Sequence, residues 1–424
     1  MSKFRSNEQA ILGSRFRRLS DDQNKRLYWA CLEILERTGV RLYEQEALDL
    51  LASAGIKATE GNRVRIPSWL VEKALTTAPR RVTLCDRQGR RVMPVEDYRS
   101  FFGTGSDCLY VIDHRTDQRR LAVVQDVREG MITADALPHV DFVMCMFLPS
   151  DVDQGVADRY QMEAMLTHTT KPIMYVTTEF SGCVDAIAMA EIVAGSADAL
   201  QRNPQAACYI NVTTGLRHNQ EALQKLLFLA GKGLPAAYVP STQGGVTAPV
   251  TPAGALAVAQ AGALVGLVLS QLKREGAPLI MPGWGGNMLD MRTTVQPYAD
   301  PDKRTLAAEF VHSLGLPMFS LAGCSDSKVV DQQAGIEAAL TLMTDALVGG
   351  NIVHDLGYLE SGLTGSLTQL VICDEILGWL SHFVRGVEIS DETLALDLID
   401  AIGPDGQFLE SDHTFEHFRE RWYP

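Results

Sequence analysis

The sequence predicts an α/β protein, a (β/α)8 TIM barrel, and three observations carry that expectation. From Phe101 onward a short apolar run followed by a longer helical pattern recurs, with strands expected to begin near Phe101, Val140, Pro172, Ala206, Pro235, Pro278, Pro317 and Asn351. Eight such units of roughly thirty to forty residues fit a closed barrel better than an open doubly wound sheet. No strand is followed by the GxGxxG turn of a dinucleotide fold. The stretch 317–337, PMFSLAGCSDSKVVDQQAGIE, reads as strand, polar turn and helix, which is how such a barrel lifts reactive side chains off the carboxyl end of its sheet.

Before the barrel, residues 1–98 read as an N-terminal helical cap with a β-hairpin. Residues 19–39 have helical period, with Ser20 as N-cap and Gly39 as stop. Helices follow at 44–54 and 67–77, and residues 81–94 alternate about a Gln88-Gly89 turn, the pattern of a hairpin. The cap is expected to frame the barrel mouth. The barrel itself spans 99–390. Its apolar run at 250–272 is rich in Ala and Gly, ends in Gln271-Leu272-Lys273-Arg274 and lies between two strand patterns, so a buried helix is expected rather than a membrane span. A C-terminal helical tail, 391–424, is expected to hold helices at 391–401 and 415–422.

At 424 residues, with 46% hydrophobic and 21% charged, the chain has the composition of a soluble globular protein. A net charge of −14 argues against nucleic acid and anionic membrane, which require clustered Lys and Arg; it is compatible with a cationic ligand, although solubility alone accounts for it more readily. The N-terminus has no basic-then-apolar leader. Eight cysteines are scattered without a CxxC pair, so a reduced, cytoplasmic chain is expected, with neither a disulfide framework nor a metal site of recognisable spacing.

Ala322, Gly323, Ser325, Asp326, Lys328, Asp331, Gln333, Ala334, Gly335 and Glu337, in the spacing A-G-x-S-D-x-K-x-x-D-x-Q-A-G-x-E, resemble the trimethylamine methyltransferase family. The resemblance extends along nearly the whole chain, through Phe102-Gly103-Thr104-Gly105, the Gly244-Gly245 pair and the GYLESGLT run at 357–364. In that family the residue after Ala-Gly can be pyrrolysine. Here it is Cys324, so the chain is similar to the non-pyrrolysine homologues, among them glycine betaine methyltransferases. The resemblance implies a barrel fold and transfer of an N-methyl group to Co(I) of a corrinoid (cobalamin) held by a cognate corrinoid protein, with no cofactor bound tightly to this chain.

Residues just after each barrel strand converge on one face. Here they are acidic and aromatic, without Lys or Arg until Lys328. They include Thr104, Asp107, Ser150, Asp151, Glu179, Phe180, Thr213 and Asn287. From the same face His354, Asp326 and Glu360 are expected to be catalytic, and Trp284, Tyr358, Gln243, Asn211 and Cys324 to bind substrate. Aromatic faces attract an alkylammonium, at roughly 0.5–2 kcal/mol each, and carboxylates balance its charge. Structural roles compete at every position. Trp284 also suits packing, Tyr358 and Glu360 a helix N-terminus, His354 the core, and Asn211 and Gln243 loop ties. Cys324 reads either as a nucleophile or, preferably, as a small residue filling space.

With Cys324 in that place a quaternary amine is the better substrate, since it leaves as a neutral amine, whereas free trimethylamine would leave as an anion. The expected partners are therefore a small quaternary amine, the corrinoid protein and further copies of the chain. A non-catalytic betaine-binding protein and a cysteine-dependent barrel lyase remain open.

Overall fold

The computed structural model describes residues 16–283, 285, 287–300, 302–384 and 387–420. Seven parallel strands form its central sheet: β1 (Phe101–Thr104), β2 (Ile173–Tyr175), β3 (Ala206–Val212), β4 (Ala236–Pro240), β5 (Leu279–Pro282), β6 (Met318–Leu321) and β7 (Ile352–Leu356). They lie in the order β1-β7-β6-β5-β4-β3-β2. The segment 142–143 closes the ring, bridging β1 through Gly103 and Phe142 and β2 through Val143 and Ile173, both in parallel. The eighth stave thus stands where the pattern near Val140 places it, and the fold is a TIM barrel. Thr104 fastens this short closure, since its hydroxyl donates to Met144 O at 2.7 Å and accepts from Met144 N at 2.8 Å.

Helices α1 (Val124–Ala136), α2 (Ala157–His168), α3 (Phe180–Ala194), α4 (Gln220–Lys232), α5 (Pro252–Lys273), α6 (Asp302–Leu314), α7 (Gln332–Val348) and α8 (Leu367–Val384) surround the sheet. Helix α5 is long and apolar enough to cross a membrane, yet 89% of its apolar window is buried inside the protein. The N-terminal helices Asp21–Glu33, Gln45–Ser53 and Ser68–Thr77 all pack on it. Their apolar side chains, such as Cys31, Leu35, Leu51 and Val71, join the same core as Leu264, Val268 and Tyr238. Helix Asp21–Glu33 begins at Ser20 with a capping box to Gln23, and Gly39, at φ +69°, ends the helical run that continues it.

At the carboxyl end the N-terminal segment contributes its strand Val40–Leu42, whose Arg41 and Leu42 pair in parallel with Arg217 and His218 in the connection after β3. Its helices lie along the outer flank, and its hairpin (Val82–Cys85 with Arg91–Val95) seals the opposite, amino end of the barrel. Val82, Leu84, Met93 and Val95 cluster with Phe101, Phe142, Met174, Ala207, Ile280, Phe319 and Ile352, the inward-facing residues of the strand starts. Cys85 N and Arg87 N donate to Pro204 O and Thr170 O, carbonyls that precede β3 and β2. A hairpin so placed removes about 1.5–3 kcal/mol worth of apolar surface per large side chain from water and leaves the barrel one open end. The tail differs from expectation. Ala395, at φ +49°, splits its first helix into Asp391–Leu394 and Leu396–Ile402, and the last described helix is Asp412–His417.

Behind β6 the Ser320 hydroxyl donates to Asp345 Oδ1 at 2.8 Å, and burial pushes the Asp345 carboxyl up to about 7 from an ordinary 3.8. The folded chain therefore holds a proton that the unfolded chain releases. The resulting stability is fully present below the unfolded value and is lost as pH rises through the folded one. Asp345→Asn is expected to match the wild type near pH 4 and to gain on it up to pH 7, by on the order of a few kcal/mol. Urea melts across this range test it; a wild-type stability equal to the variant's at pH 8 would exclude the buried proton.

Candidate active site

The open end of the barrel is shaped by an irregularity in β7. Ile352 and Val353 pair with Phe101 and Phe102, but the next partners are Leu356 and Thr104, so β7 carries one extra residue against β1. Asp355 takes up the bulge at φ +85°. Val353 and Leu356 face the helices and Ile352 faces the barrel interior. The bulge adds Asp355 to His354 on the inner face, which strict alternation would forbid.

His354 stacks on Phe319 with ring centroids 4.2 Å apart, directly above the layer sealed by the hairpin, and meets Tyr209 edge-on at 5.9 Å. Its Nδ1 lies 2.6 Å from Ser320 O. A carbonyl only accepts, so Nδ1 carries a proton, and Nε2 lies 3.4 Å from Asp355 Oδ1. Burial lowers the imidazole's basicity and raises the Asp355 carboxyl, against the opposing pull of His354, the Tyr298 hydroxyl and Arg304. Asp355 Oδ2 is buried with no hydrogen-bond partner among the described residues.

Around this carboxyl stand Tyr209 from β3, Tyr298 from the loop before α6 and Tyr358 from the turn after β7, each with a hydroxyl raised chiefly by burial and also by Asp355. Tyr358 donates to Ser106 O. Room for Tyr358 and Asp355 exists because residue 105 is glycine, where a methyl group would run into the Tyr358 ring and Asp355 Oδ1. Asp107, with its carboxyl raised by loss of solvent, accepts from Gln161 Nε2 at 2.9 Å and also acts on Tyr209 and Tyr358. Along β3 the inward positions open progressively from buried Ala207 through partly exposed Tyr209 to exposed Asn211, which marks a lumen widening toward solvent.

The conspicuous sequence motif builds the wall of this lumen. Glu337 on α7 reaches back to accept the Ser325 hydroxyl at 2.6 Å and Asp326 N at 2.8 Å, and Asp331 caps the same helix through Ala334 N. Asp326 accepts from Tyr298 N at 2.8 Å, Ala299 N at 3.3 Å and the Ser361 hydroxyl at 2.7 Å. It positions Tyr298 with both oxygens engaged. Cys324 is fully buried, donating to Tyr298 O at 3.5 Å and lying 3.4 Å from Arg304 Nη2. Burial outweighs that guanidinium and pushes the thiol up to about 12, so the side chain stays neutral at physiological pH.

The structure therefore gathers His354, Tyr358 and Asn211 at the lumen, with Asp326 and Cys324 one layer behind. Glu360 stands apart, 2.8 Å from Arg119 Nε and 2.6 Å from the Thr364 hydroxyl. Gln243 sits at the rim in a two-residue ribbon with Asn287. Trp284 lies outside the described residues. Asp151 accepts from Val124 N and so serves a helix start, and Phe180 N donates to Glu221. Two arginines come near from segments that no strand end predicts, Arg119 paired with Glu360 and Arg304 behind the lumen beside Cys324. Sequence reasoning also missed Asp355, Tyr209 and Tyr298. A positive φ at Asp355 has no sequence signature, whereas Tyr209 was accessible from its place two residues before Asn211 on one strand face.

A family model described as trimethylamine methyltransferase matches residues 6–424. A trimethylamine methyltransferase of Desulfitobacterium hafniense (strain DSM 10664 / DCB-2) is 30% identical over 427 residues, covering 99% of this chain and 86% of its own length. A glycine betaine methyltransferase of Desulfitobacterium hafniense (strain Y51) is 28% identical over 412 residues, covering 96% and 85%. The crystal structure of the Methanosarcina barkeri monomethylamine methyltransferase shares the fold at a TM-score of 0.56 and 10% identity, over 96% of this chain and 87% of that one.

The crowding at residue 105 and the buried thiol make one joint prediction. Gly105→Ala should displace Tyr358 and Asp355 and cost about 1–3 kcal/mol, the range for overpacking. Cys324→Ser, which keeps size and a hydrogen-bond donor, should cost less, and native Cys324 should resist iodoacetamide at pH 8. Fast alkylation of Cys324 in the folded protein, followed by peptide mass mapping, would show the thiol to be accessible and ionised.

Proposed function

The chain belongs to the trimethylamine methyltransferase family and is a methyltransferase, and from that premise we propose that it takes an N-methyl group from a small quaternary amine of the glycine betaine kind and delivers it to a corrinoid on a separate protein. One observation carries the substrate half of the reading. A carboxyl with one oxygen unpartnered among the described residues, Asp355, lies at the base of a tyrosine-walled lumen that opens at the carboxyl end of the barrel. Tyrosine faces and two carboxyl groups suit an alkylammonium, which needs no hydrogen-bond donor from the site.

The corrinoid supplies Co(I), already a strong nucleophile, so the residues of this chain need only bury the amine and aim a methyl group outward. Tyr209, Tyr298 and Tyr358 exclude water from the sides, and the Phe319–His354 stack floors the site. Asp326 acts as a positioning residue for Tyr298, and His354 for Asp355. Cys324, neutral and enclosed, offers neither a thiolate nor an electrophile, which supports a quaternary substrate and disfavours a cysteine-dependent lyase.

The corrinoid protein docks over the open mouth in this reading, since the hairpin fills the other end. Apolar side chains exposed on α7, α8 and the tail, such as Ile336, Leu340, Trp379 and Phe415, support self-association. Eight free, buried cysteines suit a reducing cytoplasm.

The test is methylation of free cob(I)alamin by glycine betaine, choline, tetramethylammonium and trimethylamine. Methylcobalamin is expected from at least one quaternary amine, and Cys324→Ser should keep most of that activity. Turnover of trimethylamine above that of every quaternary amine would overturn the substrate assignment. A roughly thousandfold loss of kcat in folded Cys324→Ser would restore the nucleophile. No methylcobalamin from any amine would favour a non-catalytic binding protein.

A further inference from the structure

The His354–Asp355 pair is built in a way that simple charge complementarity does not require. A carboxylate meant only to attract a cation is best held ionised by several hydrogen bonds, yet Asp355 has one oxygen without a hydrogen-bond partner among the described residues, the other 3.4 Å from an imidazole nitrogen, and only the Tyr298 hydroxyl besides as a hydrogen bond favouring its charged form. Because His354 Nδ1 is fixed as the donor to Ser320 O, one further proton has a place between Nε2 and Oδ1, and the pair titrates as a unit. Resting on the quaternary-amine reading, we infer that the His354–Asp355 pair is the proton-linked counter-charge of the site: it holds that proton when empty and releases it to solvent as an alkylammonium takes its place against Asp355.

The surroundings support an exchange rather than a fixed charge. On the Asp355 carboxyl act His354 from its own strand, Tyr298 from the loop before α6 and Arg304 from α6. Asp355 in turn acts on Tyr209 from β3, Cys108 from the segment after β1, Cys324 after β6 and Tyr358 after β7. The tyrosines and these cysteines are raised and stay neutral across the working range. Arg304 is a cation, but its guanidinium is engaged with Leu321 O at 3.0 Å and with Cys324. Asp107, its own carboxyl raised by burial, acts on the same Tyr209 and Tyr358. Burial raises Asp355, as such a proton store needs. Net charge in the lumen is then conserved on binding: a proton leaves and an ammonium enters.

The consequence is measurable without knowing the physiological amine. Choline serves as the charged probe and 3,3-dimethylbutan-1-ol, its uncharged isostere, as the control. Titration calorimetry in buffers of differing ionisation enthalpy counts protons exchanged per ligand. Wild-type protein is expected to release up to one proton per choline where the pair is protonated, with Kd falling about tenfold per pH unit there and levelling off above. The isostere should release none. Asp355→Asn should bind choline at least about tenfold more weakly, with a flat pH profile. Asp355→Glu should retain a slope, an outcome that a purely structural role would not give. Choline binding with no proton released between pH 5.5 and 8.5, in protein that still forms methylcobalamin, overturns this inference and leaves the methyltransferase reading standing. Absence of both binding and methyl transfer with every quaternary amine removes the reading and the inference together.

Discussion

Strand β7 runs three steps from Val353 to Leu356 where its neighbour β1 runs two, and because of that extra residue the barrel interior contains a carboxyl group at all. With regular pairing, Asp355 would face the helices and its place in the lumen would pass to residue 356, a leucine. The left-handed backbone at Asp355 is unfavourable for a residue with a side chain and persists only where its surroundings over-determine it. They do so here. Leu356 packs against Gly323 in the turn after β6, Tyr358 is held by Ser106, and Gly105 leaves the space that both Tyr358 and Asp355 occupy. Bulge, glycine and tyrosine therefore form one device, which ties the FGTG run at 102–105 to residues 250 positions later.

The second constraint is the clasp between α7 and the turn that precedes it. One carboxylate, Glu337, satisfies Ser325 and the Asp326 backbone, which leaves the Asp326 side chain free to hold the backbone of Tyr298 and Ala299 from another loop. Residues that look catalytic in sequence, an Asp and a Glu beside a Cys and a Ser, act on the lumen through Tyr298 rather than by facing it. This explains why the motif is dense in polar residues although its thiol is neutral and enclosed. A turn whose backbone donors point inward needs acceptors, and only charged or hydroxyl side chains supply them at that density.

How far the sequence discloses this arrangement depends on the range of each interaction. The strand starts were legible because Pro172, Pro235, Pro278 and Pro317 punctuate short apolar runs, and a strand is a local property. The Ser20 cap and the Gln88-Gly89 turn were legible for the same reason. The destination of the hairpin was not, since its alternating apolar face fits a helix surface as readily as a barrel end, and only closure of the ring decides between them. Glu360 and Arg119 are 241 positions apart, so an apparently available carboxylate gave no sign of its partner. His354 and Tyr358 were found by their place at a strand end, whereas strict alternation turns the residue after His354 outward and so hides Asp355.

The electrostatics of the mouth follow from where its arginines go. Arg119 is committed to Glu360 and lies over the Tyr110 ring at 3.4 Å, and Arg304 is buried against a carbonyl and a thiol. Neither forms a close ion pair with Asp355 or Asp107, although Arg304 is near enough to bias Asp355. An unpartnered buried oxygen costs about 1–3 kcal/mol. That cost is met elsewhere in the fold, by the hairpin layer below and the core shared with the N-terminal helices. A ligand that brings its own positive charge recovers it on entry, while a neutral ligand of the same shape leaves the oxygen unpaired and in a drier setting than before. On the proposed quaternary-amine reading, selectivity for a cation is a local deficit of the folded state that packing at the closed end of the barrel can sustain.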